Sequence, residues 1–375
     1  MKSIQSFFFI TVFSCAVFSQ KNQAQICTWP AVKTLEQGSA VSTYTFHYWD
    51  YVKNHFSKYT VPHLQKIGIV VGDYHFNNVT MYYSETEKKV QFAVADLDDA
   101  GQAPLLADYA KYIISIKEKF KKTNFKSILS SYIDGLKNQK NNNIPVAIQK
   151  IQNQNQVYFQ RLNTDYVNRK LNKEGHQFEK KYELDKIKHL DANYKPLAEQ
   201  TEKSLAKTMT VLDSGFKLNA SGSSLDLLRI QFLVNYQGSQ QILELKQTRC
   251  PGTQLYQAQA AAEKRYKEVL PVLNSEEYWK NTRLISYLND QFIFRTKLAS
   301  PIENLEIDRL KSSEAQNYAE YFAYLLGTLH STQVNPQYIE QLETQIDSVN
   351  ESIDHFANNY LEKLKKDMKE NKRFL

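Results

Sequence analysis

Apolar positions change their spacing repeatedly along the chain, and each change marks a new element. Ser42 to Ser57 is rich in aromatic residues and reads as a helix. Ile67-Gly68-Ile69-Val70-Val71 is a short apolar run of the kind that forms a buried strand. It leads into Gly72-Asp73-Tyr74-His75-Phe76-Asn77-Asn78. A second strand, Val79 to Tyr83, a polar turn, Ser84 to Lys89, and a third strand, Val90 to Ala95, follow. They end at Asp96-Leu97-Asp98-Asp99.

From Leu105 the period lengthens, and Leu106, Tyr109, Ile113 and Ile116 recur at helical spacing. Helices are expected over 125–137 and 144–163, joined by the polar link Asn138 to Asn143. The Gln/Asn bias of Ile151 to Gln156 reads as a solvated face or an insert. Residues 171–195 read as a polar connection, and Pro196 to Leu212 as a helix. Leu227 to Tyr236 and Gln241 to Gln247 form the clearest hairpin, turning at Gln237-Gly238-Ser239-Gln240. A helix over Gln254 to Leu270, a strand over Gln291 to Leu298 and helices from about Ser313 complete the chain. No internal repeat is present. The pattern is α+β, with two groups of strands each followed by helices and a largely helical C-terminal part.

Composition narrows the class. Only 11 Gly and 9 Pro in 375 residues exclude collagen-like and Pro/Gly-rich disordered chains, while 24 Tyr and 20 Phe supply a large aromatic core. The net charge, 47 − 40 = +7, is modest and evenly spread, so no nucleic-acid partner is expected. Lys2 and the apolar run from Phe7 to Phe18 fit a signal peptide over 1–19, too short to span a bilayer at ~20 residues. Cleavage after Ser19 or Ala24 leaves a mature segment over 20–41, a domain over 42–375 and no transmembrane segment. Export to the periplasm or beyond is the expectation, with lipid anchoring through Cys15 as the lesser alternative. In an oxidising compartment Cys27 and Cys250 become a candidate disulfide. No closely spaced Cys/His set matches a zinc site.

Candidate chemistry sits in the first strand group. An antiparallel hairpin places the start of its first strand beside the end of its second, so Asp73, Asn78 and Asp96 should converge. Two carboxylates and an amide oxygen suit Mg²⁺ or Mn²⁺. A loop Asp facing such a cation can orient or deprotonate a hydroxyl. The competing interpretation is that Gly-Asp and Asp-Asp are turn dipeptides bonding their own backbone.

Gly72-Asp73-Tyr74-His75-Phe76-Asn77-Asn78, with its Gly-Asp-x-His-x-x-Asn spacing, resembles the catalytic loop of aminoglycoside phosphotransferases and choline kinases. Asp96-Leu97-Asp98-Asp99-Ala100-Gly101, Pro104 and Asp108 resemble their metal-binding stretch. The closer resemblance is to the domain of unknown function 2252 family, grouped with protein-kinase-like folds. It extends over Tyr44-Thr45-Phe46, Glu244-Leu245-Lys246, Phe294-Arg295, Gly327-Thr328-Leu329-His330 and Phe356-Ala357-Asn358-Asn359-Tyr360.

The resemblance implies a kinase-like fold with permuted element order. Its parts would be a catalytic-loop part over 60–120, a helical insert over 121–212, a strand-lysine hairpin and helix over 213–275, and a helical part over 276–375. It implies catalysis by Asp73 with His75 beside it, and metal held by Asn78, Asp96 and Asp98. Lys246 would contact ATP or another nucleotide, and Glu263 would hold that lysine. The acceptor would be a small-molecule or protein hydroxyl. Asp108, Arg295 and His330 match the family and default to core hydrogen bonding. The chain departs from the family at Tyr48-Trp49, in place of Arg-Gly, and at Asn219-Ala220-Ser221-Gly222-Ser223-Ser224, which keeps one glycine. A metallophosphoesterase would use Asp73 and His75 around two metals, but its Gly-Asn-His and Gly-His-x-His stretches are absent. An exported binding protein retaining the fold is the third possibility.

Overall fold

A strand that skips its neighbours organises the first half of the chain. The computed structural model describes 45–370, apart from 61, 85, 121–122, 140, 142, 155–165, 168–169, 172–180, 219–226, 237, 280–281, 289, 298–309 and 311. Over 166–167, 170, 181–192, 217–218 and 239 it describes backbone alone. The signal peptide, the 20–41 segment, Cys15, Cys27 and Asn219 to Ser224 lie outside the described residues.

Helix α1 (Thr45–His55) leads to β1 (Ile67–Val70), which pairs antiparallel with β4 (Gly101–Pro104). Between them β2 (Val79–Ser84) and β3 (Lys89–Val94) form the expected hairpin, with Val79 opposite Val94. The four residues of β4 carry no hydropathy signal, and tertiary pairing alone makes them a strand. Glutamine amides close both outer edges of this ribbon. Gln333 accepts from the Ile69 amide at 2.5 Å and donates to its carbonyl at 2.9 Å. Gln259 does the same to Gln102 at 2.9 and 3.0 Å. Edge groups that would otherwise recruit another strand are thereby satisfied.

Helix α2 (Leu105–Lys119) is buried at every position from Leu105 to Ile116 and forms the centre of the main core. Helix α3 (Phe125–Leu136) crosses α7 (Ser312–His330) at two glycines. A Cβ on Gly327 would lie 2.0 Å from the Tyr132 carbonyl, and one on Gly135 2.1 Å from that of Tyr324. Both positions need glycine for this close approach, which sets His330 against Tyr132. A short helix, α4 (Val146–Gln152), packs near β3. Helices α8 (Pro336–Thr344) and α9 (Ile346–Lys369) finish the chain, and Phe356 and Tyr360 of α9 meet Tyr48 of α1 edge to face.

The second core is one-sided. Helix α5 (Lys181–Leu205) precedes β5 (Thr210–Leu218), β6 (Leu228–Tyr236) and β7 (Ser239–Gln247). Helix α6 (Ala262–Leu273) intervenes before β8 (Arg283–Tyr287) and β9 (Asp290–Lys297). The five strands lie in the order β8-β9-β7-β6-β5, all antiparallel. Ile230, Phe232, Leu243, Leu245, Phe292 and Phe294 cluster with Tyr194, Leu197 and Leu205 of α5. Strand alternation sends Glu244 and Lys246 to the opposite face, and both are fully buried there.

The mixed α+β class and helical C-terminal part hold. Four boundaries differ. The connection read over 171–195 is helical from Lys181, with Pro196 inside the helix. The helix expected to reach Leu212 ends at Leu205, and Thr210–Leu218 is the outer strand β5. Asp213, Gly215 and Lys217 mask its alternation, and a register shift between Val211 and Asp213 breaks it further. The helical part read over 276–375 contains the β8–β9 hairpin, after a single helical turn over Glu276–Trp279. The helix expected from Gln254 begins at Ala262, after a short 3₁₀ turn over Gly252–Leu255.

Candidate active site

Gly72, two residues beyond β1, has φ +84°, and a Cβ there would sit 2.1 Å from the Asp99 carbonyl oxygen. Only glycine fits this close approach in a left-handed conformation. The loop that follows is held on several sides. Asp108 accepts from the amides of Val71 and Gly72 at 2.8 and 3.0 Å. Its Oδ2 is also 3.3 Å from His330 Nε2, while His330 Nδ1 is 3.0 Å from the Tyr132 hydroxyl. The Trp49 indole donates to the Gly72 carbonyl at 2.7 Å. Tyr48 and Trp49 thus serve the core and this loop.

The Asp73 carboxylate is 3.3 Å from Lys111 Nζ and 3.6 Å from His75 Nε2. Burial alone would raise its pKa, but the Lys111 ammonium and His75 outweigh it and hold the group below the usual carboxylate range. His75 Nδ1 accepts from the Asn77 amide at 3.2 Å, so the ring proton belongs on Nε2, facing Asp73. Asn78 Nδ2 donates to the Asp73 carbonyl at 2.7 Å. That leaves its Oδ1 as the atom suited to a cation.

The hairpin closes as expected: Ala95 N donates to the Asn78 carbonyl at 2.9 Å, so Asp96 follows directly beside Asn78. From the five-stranded sheet, Lys246 Nζ reaches Asp96 Oδ2 at 2.8 Å and Asp98 Oδ2 at 2.5 Å. Burial works against the Asp96 charge, yet Lys246 and Arg295 hold its carboxyl well below the ordinary range. Asp98 is committed on both oxygens, since the Tyr266 hydroxyl donates to Oδ1 at 3.0 Å. Asp96, with its side chain 28% exposed, is the carboxylate open to a metal. Asp99 turns away from this edge. It accepts from Arg249 and from the Gly252 amide, each at 2.7 Å, and its carboxyl is pushed up to about 6 by burial and by the charges of Asp73 and Asp98.

Behind Lys246, Glu244 Oε2 is 3.6 Å from Arg229 and Oε1 is 3.3 Å from Arg295. Arg295 also donates to the Ala95 carbonyl at 2.5 Å. Arg295 therefore ties the sheet to the acidic stretch.

Asp73, His75 and Asn78 thus form one cluster, and Asp96, Asp98 and Lys246 another, joined through Asn78. Glu263 belongs to neither. It lies on the outer face of α6, 65% exposed, 2.6 Å from Lys267. The same helix instead supplies Arg265, whose Nη1 donates to the carbonyls of Leu97, Asp98 and Ala100 at 3.2, 3.2 and 2.8 Å. The lysine is held by the acidic stretch, and the helix holds that stretch by its backbone. Arg265 and Lys111 were not singled out from sequence. Lys111 left a signal, a lone cation in the apolar run Leu105 to Ile116. The donors Asn78 Oδ1 and Asp96 are hard oxygens, which suits Mg²⁺ or Mn²⁺, and Asp98 could join them only by giving up Lys246. Among the described residues no cluster of three or more His, Cys, Asp or Glu is arranged for a metal. Cys250 is disulfide-bonded, and its partner lies outside the described residues. Among the described residues no helix is long and apolar enough to cross a membrane.

A fold of this mixed class, with paired lysine–aspartate contacts at one strand-end edge, defines a protein of the α+β type with a buried ionic site. Residues 109–373 match the family described as an uncharacterized protein conserved in bacteria, DUF2252, and the chain belongs to that family. The matched region takes in Lys111, Lys246, Arg265 and Arg295, and begins after the Gly72–Asn78 loop and the acidic stretch. Neither the curated proteins nor the solved structures give a match to the chain.

Proposed function

We propose that this protein is a metal-dependent, kinase-like phosphotransferase with permuted element order, moving a phosphoryl group from a nucleotide to a small-molecule or protein hydroxyl. The observation that carries the reading is the fully buried Lys246, bonded to Asp96 at 2.8 Å beside Asn78, whose amide is fixed on the Asp73 carbonyl. Phosphoryl transfer asks for positioning and charge neutralisation more than for covalent chemistry. Lys246 would release its carboxylates to nucleotide phosphates, Asp96 and Asn78 would hold the metal, and Asp73 would orient the acceptor hydroxyl. The depressed pKa of Asp73 suits orientation better than proton abstraction. ATP is scarce outside the cytoplasm, so this reading requires a donor other than ATP, a binding role in place of transfer, or an N-terminal segment that is not an export signal.

A second reading has its own observation. The helix after the lysine strand offers no carboxylate to Lys246, since Glu263 is exposed and paired with Lys267. A binding protein that keeps the fold without transfer accounts for this equally well. Thermal unfolding of the full chain with a panel of nucleotides and Mg²⁺ tests both. The proposal expects stabilisation that Asp96→Ala removes, and transfer that Asp73→Asn abolishes while binding persists. Binding without transfer in the wild type selects the second reading. No shift with any nucleotide, or a shift that survives Asp96→Ala, overturns the first.

A further inference from the structure

The geometry points to Arg229 as a second phosphate-binding residue beside Lys246, in a site that grips a phosphate chain and not a base. Inorganic polyphosphate is then as good a donor there as a nucleoside triphosphate. The donor role rests on the phosphotransfer reading above; the binding site does not.

Arg229 of β6 stands directly opposite Lys246 of β7, so both side chains leave the same face of the sheet, at the ~4.8 Å spacing of adjacent strands. Arg295 of β9 stands opposite Glu244, one pair further along that face. The charges are unevenly met. Lys246 is answered by two carboxylates, Asp96 and Asp98, whereas Arg229 and Arg295 share the single carboxylate of Glu244. Arg295 is committed, because it bonds both Glu244 and the Ala95 carbonyl. Arg229 is not. Its Nη1 lies 3.6 Å from Glu244, beyond hydrogen-bond reach, and its Nε is buried with no partner. The side chain is 14% exposed, and Nη1 and Nη2 keep access to solvent. Its charge also reaches Asp96, the partly open carboxylate bonded to Lys246. A guanidinium without its own carboxylate, mostly withdrawn from water, favours an anion, and its planar fork suits two phosphate oxygens.

A base finds no matching provision among the described residues of this face. Pockets for flat organic groups are lined mainly by open apolar surface. Ile293, opposite Lys246, belongs to the main core, and Leu233 and Ile242 pack with Leu171. None of Ile293, Leu233 and Ile242 is more than 4% exposed. Tyr278, whose hydroxyl feels the charges of Arg295 and Asp96, has its ring packed against that of Tyr82 at 5.4 Å. With tripolyphosphate, the acceptor hydroxyl oxygen bonds to the terminal phosphorus and the terminal P–O–P bridge breaks. Pyrophosphate leaves with the bridging oxygen and its electron pair, the hydroxyl proton passes to solvent, and nothing is oxidised or reduced. Lys246 and Arg229 would hold the departing pyrophosphate.

Titration calorimetry of the full chain in Mg²⁺ at fixed ionic strength, with tripolyphosphate, ATP and adenosine, tests the assignment. Tripolyphosphate should bind one to one, within about threefold of ATP, and adenosine should not bind. Arg229→Gln should weaken tripolyphosphate and ATP alike, at least tenfold. Arg229→Lys keeps the charge and loses the fork; it should fall between the two, and covers the case in which Arg229→Gln fails to fold. ATP binding at least tenfold tighter than tripolyphosphate, no binding of tripolyphosphate, or affinity unchanged in both folded variants overturns the proposal. Phosphorus NMR of the same mixtures separates it from the reading beneath it. Conversion of tripolyphosphate to pyrophosphate supports both. Binding of tripolyphosphate with no turnover of either compound ends the phosphotransfer reading and leaves the phosphate-chain site standing. Turnover of ATP alone overturns the donor assignment and leaves that reading standing.

Discussion

Two lysines are fully buried among the described residues, and they are buried by different means. Lys111 rises from α2 inside the aromatic core, 3.3 Å from Asp73 and 5.0 Å from the centre of the Tyr48 ring. Lys246 arrives from the five-stranded sheet, 150 residues from Asp96 in sequence, and touches both the buried Asp98 and Asp96, which is 28% exposed. Asp73 is only 5% exposed. The first pair is locked inside one core, and the second joins two parts of the fold at a partly open edge. A pair sealed in a core favours structure, whereas a pair at an open edge can exchange partners with a ligand.

Replacing each lysine should separate the two roles. Lys111→Met leaves the Asp73 charge buried without its cation, which typically costs ~3–5 kcal/mol. Lys246→Met leaves Asp96 able to recover water and the buried Asp98 still bonded by the Tyr266 hydroxyl, so the loss should be smaller, about 2 kcal/mol. Nucleotide-dependent stabilisation should rank the other way, vanishing in Lys246→Met and persisting in any folded Lys111→Met. Urea unfolding and thermal shift on both variants supply the two rankings. Equal stability losses, or loss of the nucleotide response in both, would erase the contrast.

Asp108 sharpens the structural side of the comparison. Its two oxygens serve the amides of Val71 and Gly72, and Asp108→Ala would leave both unmet. A loss of about 2–3 kcal/mol is expected in urea unfolding. Since the Gly72–Asn78 loop hangs from these bonds, any activity should fall further than in a surface variant of equal stability.

Acid tests the open edge. Burial penalises the Asp96 charge, but Lys246 and Arg295 keep its folded pKa below the unfolded value of about 3.9. Stability from Asp96 is therefore complete above that unfolded value and is lost as pH falls below it. Asp96→Asn should lower stability at neutral pH and flatten the decline below about pH 4 relative to wild type. An unchanged acid limb would place the titration elsewhere, for instance at Glu244, whose carboxyl is also held low against burial by Arg229 and Arg295.

Legibility from sequence followed the range of the forces involved. The β2–β3 hairpin is local, so its register and the neighbourhood of Asn78 and Asp96 could be read from alternation and a polar turn. Lys246 was reachable only through resemblance, because nothing local says which strand face meets an acidic stretch 150 residues away. Strand β4 was invisible, since Gly-Gln-Ala-Pro becomes a strand only by pairing with β1. Lys111 stood in plain view as a charge inside an apolar helix, and its meaning depended on knowing that the helix is buried all round.

The smallest expected effect concerns the residue that analogy favoured over physics. Glu263 and Arg265 are two positions apart on α6, about 200° around the helix, so they cannot share a face. Expecting a carboxylate partner for Lys246 led to Glu263. Packing instead turned Arg265 inward, because the acidic stretch already supplies the carboxylates and its carbonyls still need donors. Glu263→Ala removes an exposed pair with Lys267 and should change stability by less than about 0.5 kcal/mol. It should also leave the nucleotide response unaltered in the thermal-shift assay. A lost response in this variant would mean that α6 rotates when ligand binds, bringing Glu263 to Lys246 and displacing Arg265 from the carbonyls it now holds.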